Sequence, residues 1–377
     1  MLYKCSGRLV GARTRSPAHT IVSELMFADD ACAVTTSRAG MEQAVEVLLR
    51  VTSQWGLTVS APKTKLMVVG EGLQEDDVTP ISTDSGVIDV VSDFKYLGAL
   101  VSSSGGIEGE VRERIGHSSR VFGMLRKAVF QDSDLSVSSK RLAYMSVVLG
   151  VLLYGSETWA IKSRTMHKLE AFHNRCMRCI LGITSEQQIQ ERITTVQLRR
   201  RFGLHCSLEG IILKRRLRWL GHVARMSEER IPKQLLFGWL PKTRPTHGPR
   251  LRWRDKVRQD LRNCQIAEGA WYQLAQERDH WRTQCQDGIQ VFTTKQEKRH
   301  QERHALRHHL LTTTNSHLCQ TCGRSFLSSA GYKNHRCVKQ ARPTALERDA
   351  FHYSCLQCQR KFRRPQDLSR HKCRLGT

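Results

Sequence analysis

The chain has 377 residues with 26 glycines and 9 prolines, enough length for two or three domains and no compositional sign of low complexity throughout. Its 60 Lys and Arg stand against 35 Asp and Glu, and the resulting charge of +25 is spread along most of the length, so a polyanionic partner is expected. Nucleic acid fits better than membrane, because no run approaches the roughly 20 apolar residues of a spanning helix and no charged-then-apolar leader opens the chain.

From Thr20 to Thr36 the pattern predicts two short apolar strands, Ile21 to Ala28 and Ala31 to Thr36, joined through Asp29 and Asp30. That is a hairpin with paired carboxylates at its tip. Aspartate favours turn geometry in any protein, so the pair alone assigns no chemistry. An amphipathic helix is expected over Met41 to Gly56, with the glycine as its stop. Leu57 to Lys65 then leads into an apolar strand, Leu66 to Val69, and another strand is expected over Asp93 to Ser102.

The pattern turns helical at Glu108, where Val111, Ile115, Val121, Phe122 and Leu125 space an apolar face, and Leu142 to Tyr154 forms a second apolar segment. Arg112, Arg114, Arg120, Arg126 and Lys127 fall on the polar face of this bundle, either as a solvated surface or as phosphate contacts. His173, Cys176 and Cys179 step by three along a helix, as metal ligands can. No fourth ligand accompanies them, and Phe172, Met177, Ile180 and Leu181 mark a core face instead. Between Arg199 and Arg225 the basic residues Arg199, Arg200, Arg201, Lys214, Arg215, Arg216 and Arg218 surround Trp219 and His222. Arginines interleaved with an indole suit a nucleic-acid groove, although Trp219 fits a core position equally well. Pro241 to Pro249 reads as an exposed loop, Trp253, Trp271 and Trp281 punctuate further helices, and Lys295 to His309 reads as a solvated helix or linker.

Six of the 13 cysteines crowd the last part of the chain; their odd total, the chain length and the lack of a leader argue for a reducing compartment. Cys319, Cys322, Phe326, Tyr332, His335 and Cys337 recur as Cys355, Cys358, Phe362, Leu368, His371 and Cys373, each 36 positions on, as from Cys319 to Cys355. Repetition of this kind marks a duplicated unit. A Cys-x-x-Cys turn offers two thiolates to one ion, and the end of a following helix offers an imidazole and a third thiolate. Each module would therefore close a structural zinc site with four ligands, Cys319, Cys322, His335 and Cys337 in the first and Cys355, Cys358, His371 and Cys373 in the second, and metal binding would supply most of the folding energy. His317 and His352 are rival ligands that break the repeat.

These modules resemble the ββα zinc finger, except that the last two ligands are His-x-Cys, so the helix has to tighten or unwind there. At the base-reading positions of such a finger the first module has Ser328, Gly331 and Asn334 and the second has Arg364, Asp367 and Arg370. Arg364 and Arg370 suit guanine or phosphate. The linker from Val338 to His352, with Pro343, lets the two modules dock independently.

Phe27-Ala28-Asp29-Asp30 resembles the catalytic hairpin of the reverse transcriptases of non-LTR (LINE-type) retrotransposons. The likeness continues through Gly56-Leu57-Thr58-Val59 with Lys63-Thr64, Tyr96-Leu97-Gly98, Leu153-Tyr154-Gly155-Ser156-Glu157-Thr158-Trp159, Arg216-Leu217-Arg218-Trp219-Leu220-Gly221-His222-Val223 and Gly248-Pro249-Arg250, in that order. The resemblance implies that Asp29 is a ligand of the magnesium ions of a two-metal polymerase site, Asp30 its weaker neighbour, and Lys63 a contact to the leaving phosphate. It also implies a partner aspartate and a glycine-rich motif upstream of the hairpin. Neither precedes Asp29 here, and Glu24 is the only acidic residue before it.

The expectation is an α+β chain: a partial reverse-transcriptase palm over 1–105, a helical thumb-like region over 106–290, a basic linker over 291–316, one zinc finger over 317–338, a linker over 339–352 and a second finger over 353–374. The function expected is that of a retrotransposon-derived, intracellular and nuclear protein that binds RNA or DNA, holds two structural zinc ions, takes no small-molecule substrate and does not polymerise on its own. Two alternatives stand beside it: a polymerase active once the rest of the palm, with magnesium, is supplied, and a zinc-finger adaptor that binds protein.

Overall fold

The computed structural model describes residues 2–5, 18–21, 23–70, 74–237, 251–313, 317–321, 323, 325–326, 328–335, 353–354 and 361–362. Cys322, Cys337, Cys355, Cys358, His371, Cys373, Arg364, Arg370 and the Pro241 to Pro249 loop lie outside the described residues. The chain divides into two compact units, Met1–Lys298 and Arg299–Thr377.

The first unit opens with two antiparallel hairpins. Strand β1 (Leu2–Cys5) pairs with β2 (Ala18–Ile21), and β3 (Glu24–Phe27) pairs with β4 (Asp30–Ala33) with Phe27 opposite Asp30. The second hairpin is shorter than its apolar pattern predicts. Its two-residue turn holds Ala28 at φ 53°, so Asp29 sits at the tip and Asp30 is already the first residue of a strand. Helix α1 (Arg38–Gln54) starts three residues before the predicted Met41 because the Ser37 side chain accepts from the Gly40 N–H and caps it. Met41 and Val45 lay its inner face on a small core of Leu66, Ile81 and Ile88, while Val47, Leu48, Val51 and Trp55 on its other flank are exposed.

That small core is closed by a three-stranded sheet of β5 (Lys65–Leu66), β6 (Ile81–Thr83) and β7 (Gly86–Val90). Strand β7 is central, parallel to β5 and antiparallel to β6. The single strand expected over Asp93 to Ser102 is instead a hairpin, β8 (Asp93–Tyr96) and β9 (Ala99–Ser102). Leu97 and Gly98 form its turn at φ 47° and 77°, two left-handed residues in succession, which matches the twist of flanking strands. Glycine takes this conformation freely; a leucine does not announce it.

The remainder of the unit is helical. Helix α2 (Glu108–Leu125) runs into a π-helical turn at Arg126–Phe130. Helices α3 (Val137–Ala143) and α4 (Leu149–Leu152) flank a second π-helical turn at Tyr144–Val148. Then come α5 (Ser163–Ile180), α6 (Ser185–Gln190), α7 (Thr195–Arg201), α8 (Leu208–Ala224), α9 (Ile231–Phe237), α10 (Trp253–Asn263), α11 (Trp271–Gln276) and α12 (Arg278–Thr313). Helix α12 takes up most of the stretch expected to be a basic linker.

Two apolar cores organise these helices. The first gathers Phe130, Tyr144, Leu152, Leu169 and Phe202; the second gathers Leu261, Trp271, Trp281, Cys285 and Phe292. Helix α8 belongs to both, with Leu208 and Ile212 in the first and Leu213, Leu217 and Leu220 in the second. Gly221 lets α12 approach: a Cβ there would lie 2.1 Å from Trp281 Nε1, whose N–H donates to the Leu217 carbonyl at 2.9 Å. The predicted core face of α5 is also present. His173 is buried, its Nδ1 lies 2.7 Å from the Tyr144 hydroxyl, and burial pushes its pKa down to about 4. Burial pushes the neighbouring Cys176 thiol up to about 12, so it stays protonated and apolar in character.

In the second unit, β10 (His317–Leu318) pairs with β11 (Ser325–Phe326), and α13 (Ser329–Lys333) follows, capped by the Ser328 side chain, which accepts from Gly331 N–H. Strands β12 (Tyr353–Ser354) and β13 (Lys361–Phe362) form another hairpin. The registers repeat along with the sequence: His317 faces Phe326 and Tyr353 faces Phe362.

Candidate nucleic-acid interface

The hairpin that carries Asp29 and Asp30 stands in solvent. Both aspartates are exposed, as is Lys63, and so are Leu25, Met26 and Phe27 of β3, with Met26 at 71% and Phe27 at 64%. Glu24, on the same strand, is exposed as well. Among the described residues no group of three or more His, Cys, Asp and Glu is placed to hold a metal ion. Two carboxylates from one hairpin do not enclose a pair of ions, which need ligands from more than one strand.

Helix α8 carries the basic cluster, and its geometry sorts the arginines into two kinds. Lys214, Arg218 and His222 are exposed and follow one another at four-residue steps, so they form a single stripe along the helix. Trp219 is half-buried, packs on the second core, and has its ring 5.4 Å from that of His222. Both readings of the indole therefore meet in one residue. The stripe extends around Cys285, whose thiol burial raises to about 12 although Lys214, Arg218 and Arg225 all act to lower it. Those three cations thus share one neighbourhood.

Arg216 requires correction as a phosphate contact. Arg216 is 1% exposed and grips Asp260 with two hydrogen bonds, Nε to Oδ2 at 2.6 Å and Nη2 to Oδ1 at 3.1 Å, while Nη1 donates to the Trp159 carbonyl at 3.2 Å. Burial holds the Asp260 carboxyl above its usual pKa although the Arg216 guanidinium, gripping it fork on fork, acts to lower it. Arg215 is half-buried, and its Nη1 donates to the Leu153 carbonyl and lies 3.5 Å from Ser156 Oγ. The reason is helical phase. Positions 214 and 218 point out, and 216 lies half a turn from them, facing the core.

Other expected basic contacts divide in the same way. Arg114 is buried, pairs with Glu110 at 2.6 Å, and donates to the Gly98 carbonyl, whereas Arg112, Arg120, Arg126 and Lys127 are exposed. Arg199 and Arg200 both bind Glu297.

Arg114, Arg215 and Arg216 converge on a turn that the sequence marked without explaining. Tyr154, after α4, donates through its hydroxyl to the Leu97 carbonyl at 3.0 Å, and the Arg114 guanidinium covers its ring at 4.6 Å. Trp253 Nε1 donates to the Glu157 carbonyl at 2.8 Å. The Tyr96-Leu97-Gly98 and Leu153 to Trp159 segments, far apart in the chain, thus meet in space. Between them opens a cleft of about 480 Å³ lined by Tyr96, Ala99, Tyr154, Glu157, Thr158 and Arg215. An aromatic in each of two unexplained segments was the signal that could have found it.

In the first tail module Cys319 is buried at the end of β10 and accepts through its carbonyl from Gly323 N–H at 2.7 Å. Phe326 is buried against the His335 and Tyr332 rings at 4.7 Å and 6.0 Å. The last turn tightens as it reaches His335, whose N–H donates three residues back to the Tyr332 carbonyl at 3.0 Å. His317, the rival ligand, is exposed and stacks on Tyr332.

No protein-family model matches the chain, and no solved structure matches it. No described helix is long and apolar enough to cross a membrane. Among curated proteins the chain is 25% identical over 268 residues to a putative uncharacterized transposon-derived protein of Caenorhabditis elegans, covering 69% of this chain and 94% of the relative. It is 22% identical over 157 residues to a probable RNA-directed DNA polymerase from transposon BS of Drosophila melanogaster, a match that covers 41% of this chain and 17% of that protein. The relatives of this chain are thus transposon-derived proteins.

Proposed function

We propose that this chain is a retrotransposon-derived protein that binds RNA or DNA through the outward stripe of α8 and through two zinc-stabilised tail modules. The observation that carries the reading is the sorting of α8: Lys214, Arg218 and His222 are held in solvent beside Trp219, while Arg216 is withdrawn into an ion pair. A helix that buries one arginine and presents the other cations in a row offers a fixed set of phosphate contacts. The charge of +25 supports the same partner. Zinc is proposed from the repeated Cys and His positions and the repeated strand registers. Two zinc ions per chain by elemental analysis, falling to one in Cys319→Ser and in Cys355→Ser, is the expected count.

The test of the binding reading is a salt titration of affinity for a short oligonucleotide. Lys214→Glu with Arg218→Glu should reduce affinity at least tenfold at about 50 mM salt and flatten the dependence of log K on log salt by about two contacts. An unchanged slope would refute the α8 interface.

A second reading is favoured by the exposed Asp29 and Asp30 at one hairpin tip: a polymerase that becomes active when a second carboxylate-bearing strand and magnesium are supplied. The Drosophila relative's printed name points the same way. Primer extension by this chain alone that disappears in Asp29→Ala would replace the first reading with the second.

A further inference from the structure

We propose that the cleft between the Leu97 turn and the Tyr154 to Thr158 turn takes one unpaired base of a single-stranded nucleic acid, stacked on Tyr154. This rests on the nucleic-acid reading above and names where, beyond phosphate contacts, the strand is held. Tyr154 is 49% exposed even though its hydroxyl is tied to the Leu97 carbonyl and the Arg114 guanidinium covers one side of its ring. A ring fixed at its hydroxyl and backed by a cation loses little freedom on binding, which is how a stacking platform gains affinity. Arg114 in turn is neutralised by Glu110 and anchored at Gly98, so it serves as a rigid support and does not compete for phosphate.

The walls favour a base over other ligands. Glu157 lines the cleft, and its carboxylate repels phosphate while accepting from amino groups on a base edge. Arg215 holds the Leu153 carbonyl and approaches Ser156 through a single nitrogen, Nη1, and Glu157 acts on its charge, so an anion meets a wall of mixed sign. A purely apolar ligand would leave Glu157, Thr158 and Arg215 unsatisfied along one wall. The volume of about 480 Å³ lies in the range, roughly 300–1,000 Å³, that small ligands occupy.

The cleft and the basic stripe adjoin each other. Arg215 lines the cleft and directly follows Lys214 on α8, with Arg218 three residues further on. A strand whose phosphates run along Lys214 and Arg218 therefore has a neighbouring base within reach of Tyr154. Bases inside a duplex are covered on both faces and cannot enter, so the site discriminates single strands from duplexes.

Fluorescence anisotropy with the full chain tests this, using about 12-nucleotide single strands of RNA and of DNA and a duplex of equal length. Tyr154→Ala should weaken single-strand binding about tenfold and leave duplex binding as it was. Tyr154→Phe, which restores a ring, should recover most of that loss. Ala99→Ile, which fills the cleft with Tyr154 in place, should reproduce the loss, so the result does not depend on the folding of one variant. The RNA and DNA strands show which backbone the site prefers. Single-strand affinity unchanged in both Tyr154→Ala and Ala99→Ile, or lost equally for duplex, overturns the proposal. If reversing Lys214 and Arg218 leaves every probe unaffected, the α8 interface on which this site rests fails.

Discussion

The Asp29 hairpin and helix α8 both carry candidate functional residues, yet they are embedded in opposite ways. The hairpin exposes Leu25, Met26 and Phe27 together with its carboxylates, while α8 buries ten of its residues across two cores and leaves outside a stripe that includes Lys214, Arg218 and His222. The difference teaches that a pattern legible in sequence need not be held in place by the fold. Chemistry on reacting atoms requires groups fixed to within a fraction of an ångström, whereas phosphate binding tolerates much looser placement. The α8 stripe has the support its proposed task needs, and the hairpin among the described residues does not.

That contrast can be broken at its stiff end first. Arg216→Leu strands the Asp260 carboxylate in the interior and should cost about 3–5 kcal/mol of unfolding free energy, measured by denaturant titration. Arg216→Met with Asp260→Leu should recover most of it, since an apolar pair replaces a buried ionic one. If the single variant lost less than about 1 kcal/mol, the ion pair would not be the fixed point of α8.

A smaller effect comes from His173 in the first core. Its pKa is lowered to about 4 in the folded chain from 6.5, so the folded state excludes a proton that the unfolded state binds. Stability from this group is complete above pH 6.5 and declines as pH falls toward 4, by about 1.4 kcal/mol per pH unit while the difference lasts. Denaturant titrations between pH 7.5 and about pH 5 should show that slope, and His173→Phe should remove one proton's share of it. An identical slope in the variant would mean that the histidine is already protonated in the core.

The smallest effect belongs to the hairpin. Phe27→Ser should shift stability by less than about 0.5 kcal/mol, because the ring is already 64% exposed. A loss above about 2 kcal/mol would mean that β3 is covered in solution, and the contrast drawn above would have to be abandoned.

Much of this arrangement was legible from residues alone. Gly56 ended α1, and the apolar neighbours of His173 identified a core face. What could not be read was direction. Arg215, Arg216 and Arg218 are equivalent as charges, and the partner that meets the inward one, Asp260, lies 44 positions away. The Leu97 turn was hidden because leucine gives no warning of a left-handed backbone, and the π-helical turns shift the phase of an apolar run without altering its composition. The Tyr154 cleft depends on a contact between residues 57 apart, Tyr154 and Leu97, which local periodicity cannot supply.

The membership of α8 in both cores bears on how the body comes apart. A helix shared end to end couples the two clusters, so neither half can open while leaving the other intact, and protection of backbone amides from exchange should be of similar depth on both sides of the Ile212–Leu213 junction. A message that stopped after Arg225 would yield a chain whose Leu213, Leu217 and Leu220 have lost the partners supplied by α10 and α12, an adhesive surface that favours clearance over persistence.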